Sequence, residues 1–499
     1  MVRPVADAAE ALDGGGFKEA EILLSELLSK AGVDAGEPLA ADPDVTSISF
    51  DSRRVAPGSL FVALPGRNYD GASFALEALE RGAVAVLGDP VQLGGRIPGD
   101  RAVGAAAPGR ALLADLALAL YGDVSAELSL VGVTGTNGKT TVTHLVSHIC
   151  SRNGVPASVI GTLNGERTTP EAAELFERLA HRRDAGDKAV ALEVSSIALD
   201  QERTRNLAFA VAVFTNLSPD HLDYHGTMEN YFAAKARLFA PGVSKFAVVN
   251  RDSNYGRRLL AGLEIAGAGY GLADADGLTF AHGEASFRLR GRKVTVPLFG
   301  LHNVYNVLAA IAATERLGVG FADCVGAVAD FPGVPGRLER VNPGGSPAVY
   351  VDYAHSPDAL DQVTQALRGV MDPGGRLIVV FGAGGNRDRT KRALMGAVVG
   401  KEADYAVVTN DNPRDEDPAE IAAEIIAGFA GHRQGFGFEV VYDRAEAIGR
   451  AIGMARASDV VVIAGKGHET YQIAGGVTRH FSDQETAREV LGMAREAAR

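Results

Sequence analysis

This sequence predicts a three-part α/β protein: a small α/β unit, a larger unit on a mainly parallel sheet, and a doubly wound, Rossmann-like unit. Three observations carry that expectation. The chain has 499 residues, too many for one hydrophobic core. Short apolar runs of strand length alternate with segments of helical spacing. Polar or glycine-rich clusters follow those runs, where the carboxyl ends of parallel strands leave a ligand crevice.

Residues 1–108 make the first unit. Ile22, Leu23, Leu27 and Leu28 recur at helical spacing, and strands are predicted at Ser47–Phe50, Leu60–Ala63 and Ala83–Leu87. Two turns, Asp51-Ser52-Arg53-Arg54 and Pro65-Gly66-Arg67-Asn68-Tyr69-Asp70-Gly71, concentrate turn formers and hydrogen-bond donors. Either turn alone reads as a solvated loop. Their pairing on consecutive turns points to a ligand.

Residues 109–338 make the second unit. A helix over Arg110–Tyr121 leads into LSLVGVTGTNGKTTVTHLVSHICSR, residues 128–152. Leu128, Leu130, Val131 and Val133 suit a buried strand, and Gly132, Gly135 and Gly138 crowd a short turn. Leu145, Val146 and Ile149 then continue as a helix until Asn153-Gly154. A strand, a glycine turn and a helix start bring backbone N–H groups and a positive helix end to one point, which suits a polyphosphate. Lys139 can reach its terminal phosphates, and the Thr140 hydroxyl can bind Mg²⁺. The general GxxxxGK[ST] spacing fails because Val133 stands five before Gly138, so the tighter Gly135-Thr136-Asn137-Gly138-Lys139-Thr140-Thr141 is the motif. A turn without a ligand leaves the crowding of one Lys and two Thr unexplained.

Apolar runs at Ala189–Val194, Ala208–Phe214 and Phe246–Asn250 continue the sheet, a hairpin is predicted over Ser286–Leu298, and a helix from His302 to Leu317 closes the unit. Glu193 and the polar run Asn216 to His225 stand where strands end. Glu193 and His221 are candidate ligands of Mg²⁺ or of its waters opposite Thr140; the carboxylate suits a hard cation, and imidazole is softer. Lys235, on the apolar helix Tyr231–Phe239, reads either as a snorkelling surface lysine or as an amine of lowered pKa open to modification. Its spacing does not choose.

Residues 339–499 repeat the βα rhythm, with strands predicted at Ala348–Val351, Leu377–Phe381, Tyr405–Val408, Glu439–Tyr442 and Asp459–Ala464. Asp411-Asn412-Pro413-Arg414 follows one strand; Pro413 stiffens the loop, and Arg414 offers a planar fork for a carboxylate. Arg387 and the turn Gly465-Lys466-Gly467-His468-Glu469 follow neighbouring strands. Two Arg and one Glu converging there suit a ligand with carboxylates and an ammonium, rather than an ion-pair network among themselves.

Composition narrows the partners. Hydrophobic residues at 46% with 22% charged describe an ordinary soluble protein, and the net charge of -13 makes nucleic acid and anionic membranes poor partners. No basic run, signal core or uninterrupted apolar span appears, so a cytoplasmic protein without membrane insertion is expected. Cys150 and Cys324 lack metal spacing and read as buried thiols of a reducing compartment.

Together these motifs resemble the Mur ligases, ATP-dependent amide-forming enzymes of peptidoglycan synthesis. The resemblance runs from Asp51-Ser52-Arg53 to Asp483-Gln484-Glu485. Gly135–Thr141 is shared with the folylpolyglutamate synthase relatives, and Asp411-Asn412-Pro413-Arg414 marks the diaminopimelate-adding members more narrowly. The resemblance implies a central P-loop-type ATPase domain between a uridine-nucleotide domain and an amino-acid domain. It also implies ATP as cosubstrate, Mg²⁺, UDP-N-acetylmuramoyl-L-alanyl-D-glutamate and meso-diaminopimelate as partners, and a monomer. Ser52, Gly66, Arg67 and Asn68 would meet the uridine nucleotide; Thr168, Thr169, Ser195, Gln201 and Arg203 would hold the muramoyl-dipeptide. Lys139 and Thr140 would serve phosphate and Mg²⁺, Glu193 and His221 the metal, and Lys235 would carry a carbamate supporting a second Mg²⁺. Asn303, Arg337 and Asp352 would orient ATP; Arg387, Asp411, Asn412, Arg414, Gly465 and Glu469 would receive the diamino acid. Ile197, Pro219 and Arg167 depart from residues common in the family near the muramoyl-dipeptide site. Lysine addition, folate polyglutamylation and a non-catalytic nucleotide sensor are the rivals. Arg414 opposes the first, the Ser52 and Arg67 region the second, and intact Lys139, Thr140, Glu193, His221 and Lys235 the third.

Overall fold

The structure is a computed structural model that describes residues 20–34, 41–66, 70–105, 108–281 and 283–492. Among these residues three mainly parallel sheets follow one another along the chain, and the three-domain α/β architecture is as expected. The first sheet is four-stranded and parallel: β1 (Ser47–Ser49), β2 (Ser59–Val62), β3 (Ala85–Gly88) and β4 (Ala102–Gly104), in sequential order. Helix α1 (Leu24–Lys30) seals one face with Leu24, Leu27 and Leu28; Ile22 and Leu23, which the sequence spacing put with this helix, instead pair as a short strand with Asp44–Val45.

Helix α2 (Arg110–Tyr121) leads to β5 (Ser129–Thr134), whose branched residues are buried on both faces. Val131 and Val133 join one core cluster and Leu130 the other, which is the alternation a covered parallel sheet requires. Helix α3 (Lys139–Arg152) follows the glycine turn, then β6 (Ala157–Ile160), helix α4 (Ala172–Asp184), β7 (Ala189–Glu193) and β8 (Val211–Phe214). Helix α5 (Met228–Ala236), β9 (Phe246–Asn250) and β10 (Ala266–Tyr270) complete the layer. The order is β10-β9-β8-β5-β7-β6, all parallel. β5 therefore lies between β7 and β8, and the loops after these three strands share one crevice.

An antiparallel meander, β11 (Asp276–Ala281), β12 (Glu284–Leu289) and β13 (Arg292–Val296), precedes helix α6 (Leu301–Arg316). The third sheet runs β14 (Glu339–Arg340), β15 (Ala348–Asp352), β19 (Val460–Ala464), β16 (Leu377–Phe381), β17 (Tyr405–Val408), β18 (Gly437–Val440), with only β14 antiparallel. Helices α7 (Pro357–Arg368), α8 (Thr390–Glu402), α9 (Arg444–Met454) and α10 (Asp483–Val490) flank it, and β20 (Tyr471–Ala474) with β21 (Val477–His480) forms a hairpin beside it. Because β19 returns between β15 and β16, the polar loops after β19, β16 and β17 stand side by side.

The differences from the sequence reading lie at sheet edges. β4, β6, β10, β11, β14, β20 and β21 were not anticipated; for β10, Ala266-Gly267-Ala268-Gly269-Tyr270 has little β-propensity and is held by pairing with β9 along its whole length. The strand expected at Glu439–Tyr442 begins two residues earlier, at Gly437. Cys150 and Cys324 are free and buried. Among the described residues no helix is long and apolar enough to cross a membrane.

Candidate active site

The glycine turn after β5 is shaped by the loop after β8. Thr136 N–H donates to the Asn216 carbonyl (3.0 Å), Asn137 N–H to Asn216 Oδ1 (2.9 Å), and Thr215 Oγ1 to the Asn137 carbonyl (2.6 Å). This close approach explains two glycines. Gly135 has φ 151° and a Cβ there would lie 1.8 Å from Thr215 Oγ1; Gly138 has φ 88° and a Cβ would lie 2.4 Å from Asn306 Oδ1. Lys139 opens α3 and folds back over the turn, donating to the carbonyls of Gly135 (2.9 Å) and Thr136 (2.8 Å).

Lys235 comes to the same place from α5. It is 1% exposed, its Nζ donates to the Gly135 carbonyl (2.9 Å), and it lies 4.6 Å from the Tyr231 ring centroid. Burial, then the neighbouring Lys139 charge, hold its amine well below the usual lysine range. The snorkelling alternative is excluded. Burial likewise lowers Lys139, with Glu193 and Asp220 opposing.

Glu193 ends β7 at 1% exposure. Its Oε2 accepts from Thr140 Oγ1 (3.0 Å) and Thr162 Oγ1 (3.2 Å), and its Oε1 from Thr162 N–H (2.9 Å). Arg337 Nη2 donates to Thr140 Oγ1 (3.0 Å) from the segment that leads into the third sheet. His221 adopts a left-handed conformation (φ 53°); its side chain is 47% exposed, with Nε2 3.6 Å from Asp220 Oδ2. Among the described residues no group of three or more His, Cys, Asp or Glu could by itself hold a metal ion. The oxygens of Thr140 and Glu193 nonetheless suit Mg²⁺, which takes one or two protein ligands and completes its shell with water and phosphate. The residues present therefore fit that ion.

A cavity of about 450 Å³ opens beside the turn, between the second and third sheets. Asn137, Gly138, Thr141, Asn303, Arg337 and Asp352 line it, as do Tyr353, His302 and His355. Asn303 is fixed by donating to the Phe299 carbonyl (3.0 Å), and Asp352 accepts from the N–H of Leu338 (2.6 Å) and Ala354 (2.7 Å). Burial raises the Asp352 carboxyl above the usual range, with the nearby Arg337 pulling it down. Asp358, at the start of α7, accepts from Asn137 Nδ2 (2.6 Å) and Ser218 Oγ (3.0 Å), tying the third sheet's layer to the glycine turn.

A second group adjoins Glu193. Thr169 Oγ1 donates to the Glu193 carbonyl (2.8 Å) and accepts from Ser195 N–H (3.0 Å). Arg203 donates to the Thr169 carbonyl (2.8 Å) and Gln201 Oε1 (2.7 Å), and pairs with Glu171 (3.0 Å). Thr168 Oγ1 lies 3.1 Å from Thr162 Oγ1. In the first sheet's layer, buried Ser52 donates to Glu77 Oε2 (3.0 Å) and Gly66 is exposed. Arg67 and Asn68 lie outside the described residues.

The third group sits on the loops after β16, β17 and β19. Arg414 (φ 53°) donates to the carbonyls of Gly385 (2.8 Å) and Asn412 (3.4 Å), and among the described residues it has no carboxylate partner. Arg387 is exposed beside it, its Cγ 3.6 Å from the Cβ position of Gly384. Pro413 and Asp411 are buried, and Asn412 Nδ2 donates to Glu469 Oε2 (3.1 Å). Gly465 takes φ 120° at the end of β19. Asp411 and Glu469 face a fully buried cation, Lys466, which sequence reasoning passed over; its signal was a lysine between two glycines directly after a buried strand. Asp358 was also missed, because nothing local in sequence ties it to a turn some two hundred residues earlier.

The pattern of the Mur ligase family, catalytic domain, matches residues 44–117; that of the Mur ligase middle domain matches 133–314; and that of the Mur ligase, glutamate ligase domain, matches 336–467. A Synechococcus elongatus protein, UDP-N-acetylmuramoyl-L-alanyl-D-glutamate--2,6-diaminopimelate ligase, is 43% identical over 94% of this chain and 98% of its own. A solved structure of a ligase of that name superposes with a TM-score of 0.63 at 33% identity, covering 94% of this chain and 98% of that one. MurF ligase from Thermotoga maritima in complex with ADP, at 20% identity, shares the fold with a TM-score of 0.62 over 89% and 96% of the two chains. With full-length matches at this identity, the chain belongs to the Mur ligase family.

Proposed function

We propose that this chain is the ATP-dependent ligase that adds meso-2,6-diaminopimelate to UDP-N-acetylmuramoyl-L-alanyl-D-glutamate, as its 43% identical relative is named. The carrying observation is Arg414, whose guanidinium among the described residues is anchored on the carbonyls of Gly385 and Asn412, with Asn412 in turn bonded to Glu469. We read residues 1–108 as the uridine-nucleotide domain, 109–338 as the ATP domain and 339–499 as the amino-acid domain. The enzyme is read as a cytoplasmic monomer.

The chemistry has two steps. An oxygen of the D-glutamyl carboxylate attacks the γ-phosphorus of ATP; the bond to ADP breaks, and an acyl phosphate forms. The diaminopimelate amine attacks that carbonyl carbon, loses a proton, and phosphate leaves with its bonding pair. Two anions must meet in the first step, so the site supplies positive charge and exact placement rather than a nucleophile. Lys139 and the backbone N–H groups at the start of α3 hold the phosphates, while Asn303, Arg337 and Asp352 orient the nucleotide. Thr169, Ser195, Gln201 and Arg203 hold the dipeptide near Glu193, and Ser52 with Gly66, Arg67 and Asn68 the uridine end. Thr140 and Glu193, with His221, would hold one Mg²⁺ or its waters and the carbamate of Lys235 would support a second, and these ions would neutralise phosphate charge. Burial, with the Lys139 charge beside it, lowers the Lys235 amine and so favours the neutral, nucleophilic form that carbamate formation requires.

Arg387 and Arg414 would pair the distal carboxylate, and Glu469, Asp411 and Gly465 the distal ammonium; Asn412 and Pro413 set the loop. The test is phosphate release with the UDP-linked dipeptide, ATP and a panel of amino acids. Release with diaminopimelate and little with lysine is expected; equal rates overturn the assignment.

A further inference from the structure

Lys466 is 0% exposed, and all three of its N–H groups are spent. They reach the Tyr471 carbonyl (2.7 Å), Asn412 Oδ1 (3.1 Å) and Glu469 Oε2 (3.4 Å). Asn412 Oδ1 also accepts from Ile473 N–H (2.9 Å), so flipping the amide would set its NH₂ against an ammonium and an amide N–H. With that flip blocked, Asn412 Nδ2 must face Glu469, as it does. Asp411 Oδ1, 3.6 Å from the ammonium, is buried without a hydrogen-bond partner. One ammonium thus stands against two carboxylates. The other buried cation nearby, Arg444, is already matched by Asp483 through two contacts of 2.7 Å. For buried Asp411 and half-buried Glu469 to share one cation is costly, and a second ammonium would balance it.

We infer that Lys466 is a positioning residue of the amino-acid site: it locks the Asn412 amide and holds Asp411 and Glu469 as an anionic pair open to an incoming ammonium. This rests on the ligase reading. Glu469 faces Asp411, Lys466, Arg444, Tyr353 and Tyr471. Burial and Asp411 raise its carboxyl, and Lys466 and Asn412 pull it back. Removing the Lys466 charge must therefore push Glu469 higher, and the acidic limb of amino-acid use must move to higher pH.

The experiment measures KM for diaminopimelate, ATP and the UDP-linked dipeptide against pH in wild type, Lys466→Met and Lys466→Arg. The neutral variant is expected to raise the diaminopimelate KM about 10- to 100-fold, as for loss of charge-assisted hydrogen bonds. It should leave the ATP KM near wild type and shift the acidic limb upward. Lys466→Arg keeps the charge, so its limb should stay while KM rises through misfit. If Lys466→Met does not fold, the arginine variant decides: an unchanged KM overturns the inference. A folded Lys466→Met with wild-type KM and limb also overturns it. A wild type that ignores diaminopimelate overturns the ligase reading instead.

Discussion

Two turns of this molecule are built alike and charged oppositely. Both follow a buried parallel strand, and both put a lysine next to glycine: Gly138-Lys139 after β5, and Gly465-Lys466-Gly467 after β19. At the first, Lys139 and Lys235 converge on one carbonyl, that of Gly135. At the second, Lys466 converges with Asp411 and Glu469. A lysine at the end of a strand therefore does not announce the sign of its ligand; side chains delivered by other loops do. The first turn offers the Lys139 cation and the N–H groups that open α3, as a polyphosphate site needs, whereas at the second one ammonium stands against two carboxylates, as an ammonium site needs.

Removing the cation from the first turn tests that contrast most severely. Lys139→Ala should reduce phosphate release about 10³-fold or more, since preorganised charge at a phosphoryl transfer site is among the largest catalytic terms. Its melting temperature should stay near wild type, because alanine is a good residue at a helix start. A folded variant with near-normal kcat would mean that the turn is not a phosphate site. Lys235→Ala should cost somewhat less, about 10²- to 10³-fold, and bicarbonate should not restore it. An unmodified Lys235 amine, seen by mass in active Mg²⁺-bound enzyme, would break the carbamate reading.

Much of the first turn was legible because it is local. Strand, turn and helix occupy a single stretch, so Gly135, Lys139 and Thr140 could be placed from spacing alone. The second turn is assembled from three loops that the sheet order brings together. Arg387, Asp411 and Glu469 could be suspected from their positions after strands, but their adjacency depends on β19 returning between β15 and β16. Lys466 was invisible as a functional residue because its meaning lies in Asn412 and Tyr471, which only folding brings within reach. Edge strands such as β10 were missed for a different reason: their residues have weak intrinsic preference, and the partner strand decides.

At the second turn the effects should be smaller and selective. meso-Diaminopimelate exceeds lysine by one distal carboxylate, and a site built to pair it leaves a guanidinium unpartnered when lysine binds. Arg414→Ala should lower kcat/KM for diaminopimelate about 10²-fold and change that for lysine little. A variant that keeps the full preference would remove Arg414 from the specificity argument and leave Arg387 to carry it.

The smallest expected effect lies between the two turns, in the histidines around the cavity. His302 and His355 line it, and His144 and His468 face Arg337. Burial holds His144, His302 and His468 at about 4, below the ordinary 6.5. The folded state therefore favours neutral imidazole, so the stability they contribute is complete above pH 6.5 and is lost as pH falls toward 4. Between about pH 7.5 and 5.5 the unfolded chain gains nearly one proton at each of these positions and the folded chain very little. For side chains partly exposed to the cavity that amounts to about 1 kcal/mol each. Denaturant unfolding of wild type and His302→Gln at both pH values isolates one of them. The variant should lose about 1 kcal/mol less than wild type across that interval. Equal losses would mean that His302 takes up its proton freely in the folded protein, and that the space between the two turns is wetter and more polar than its packing implies.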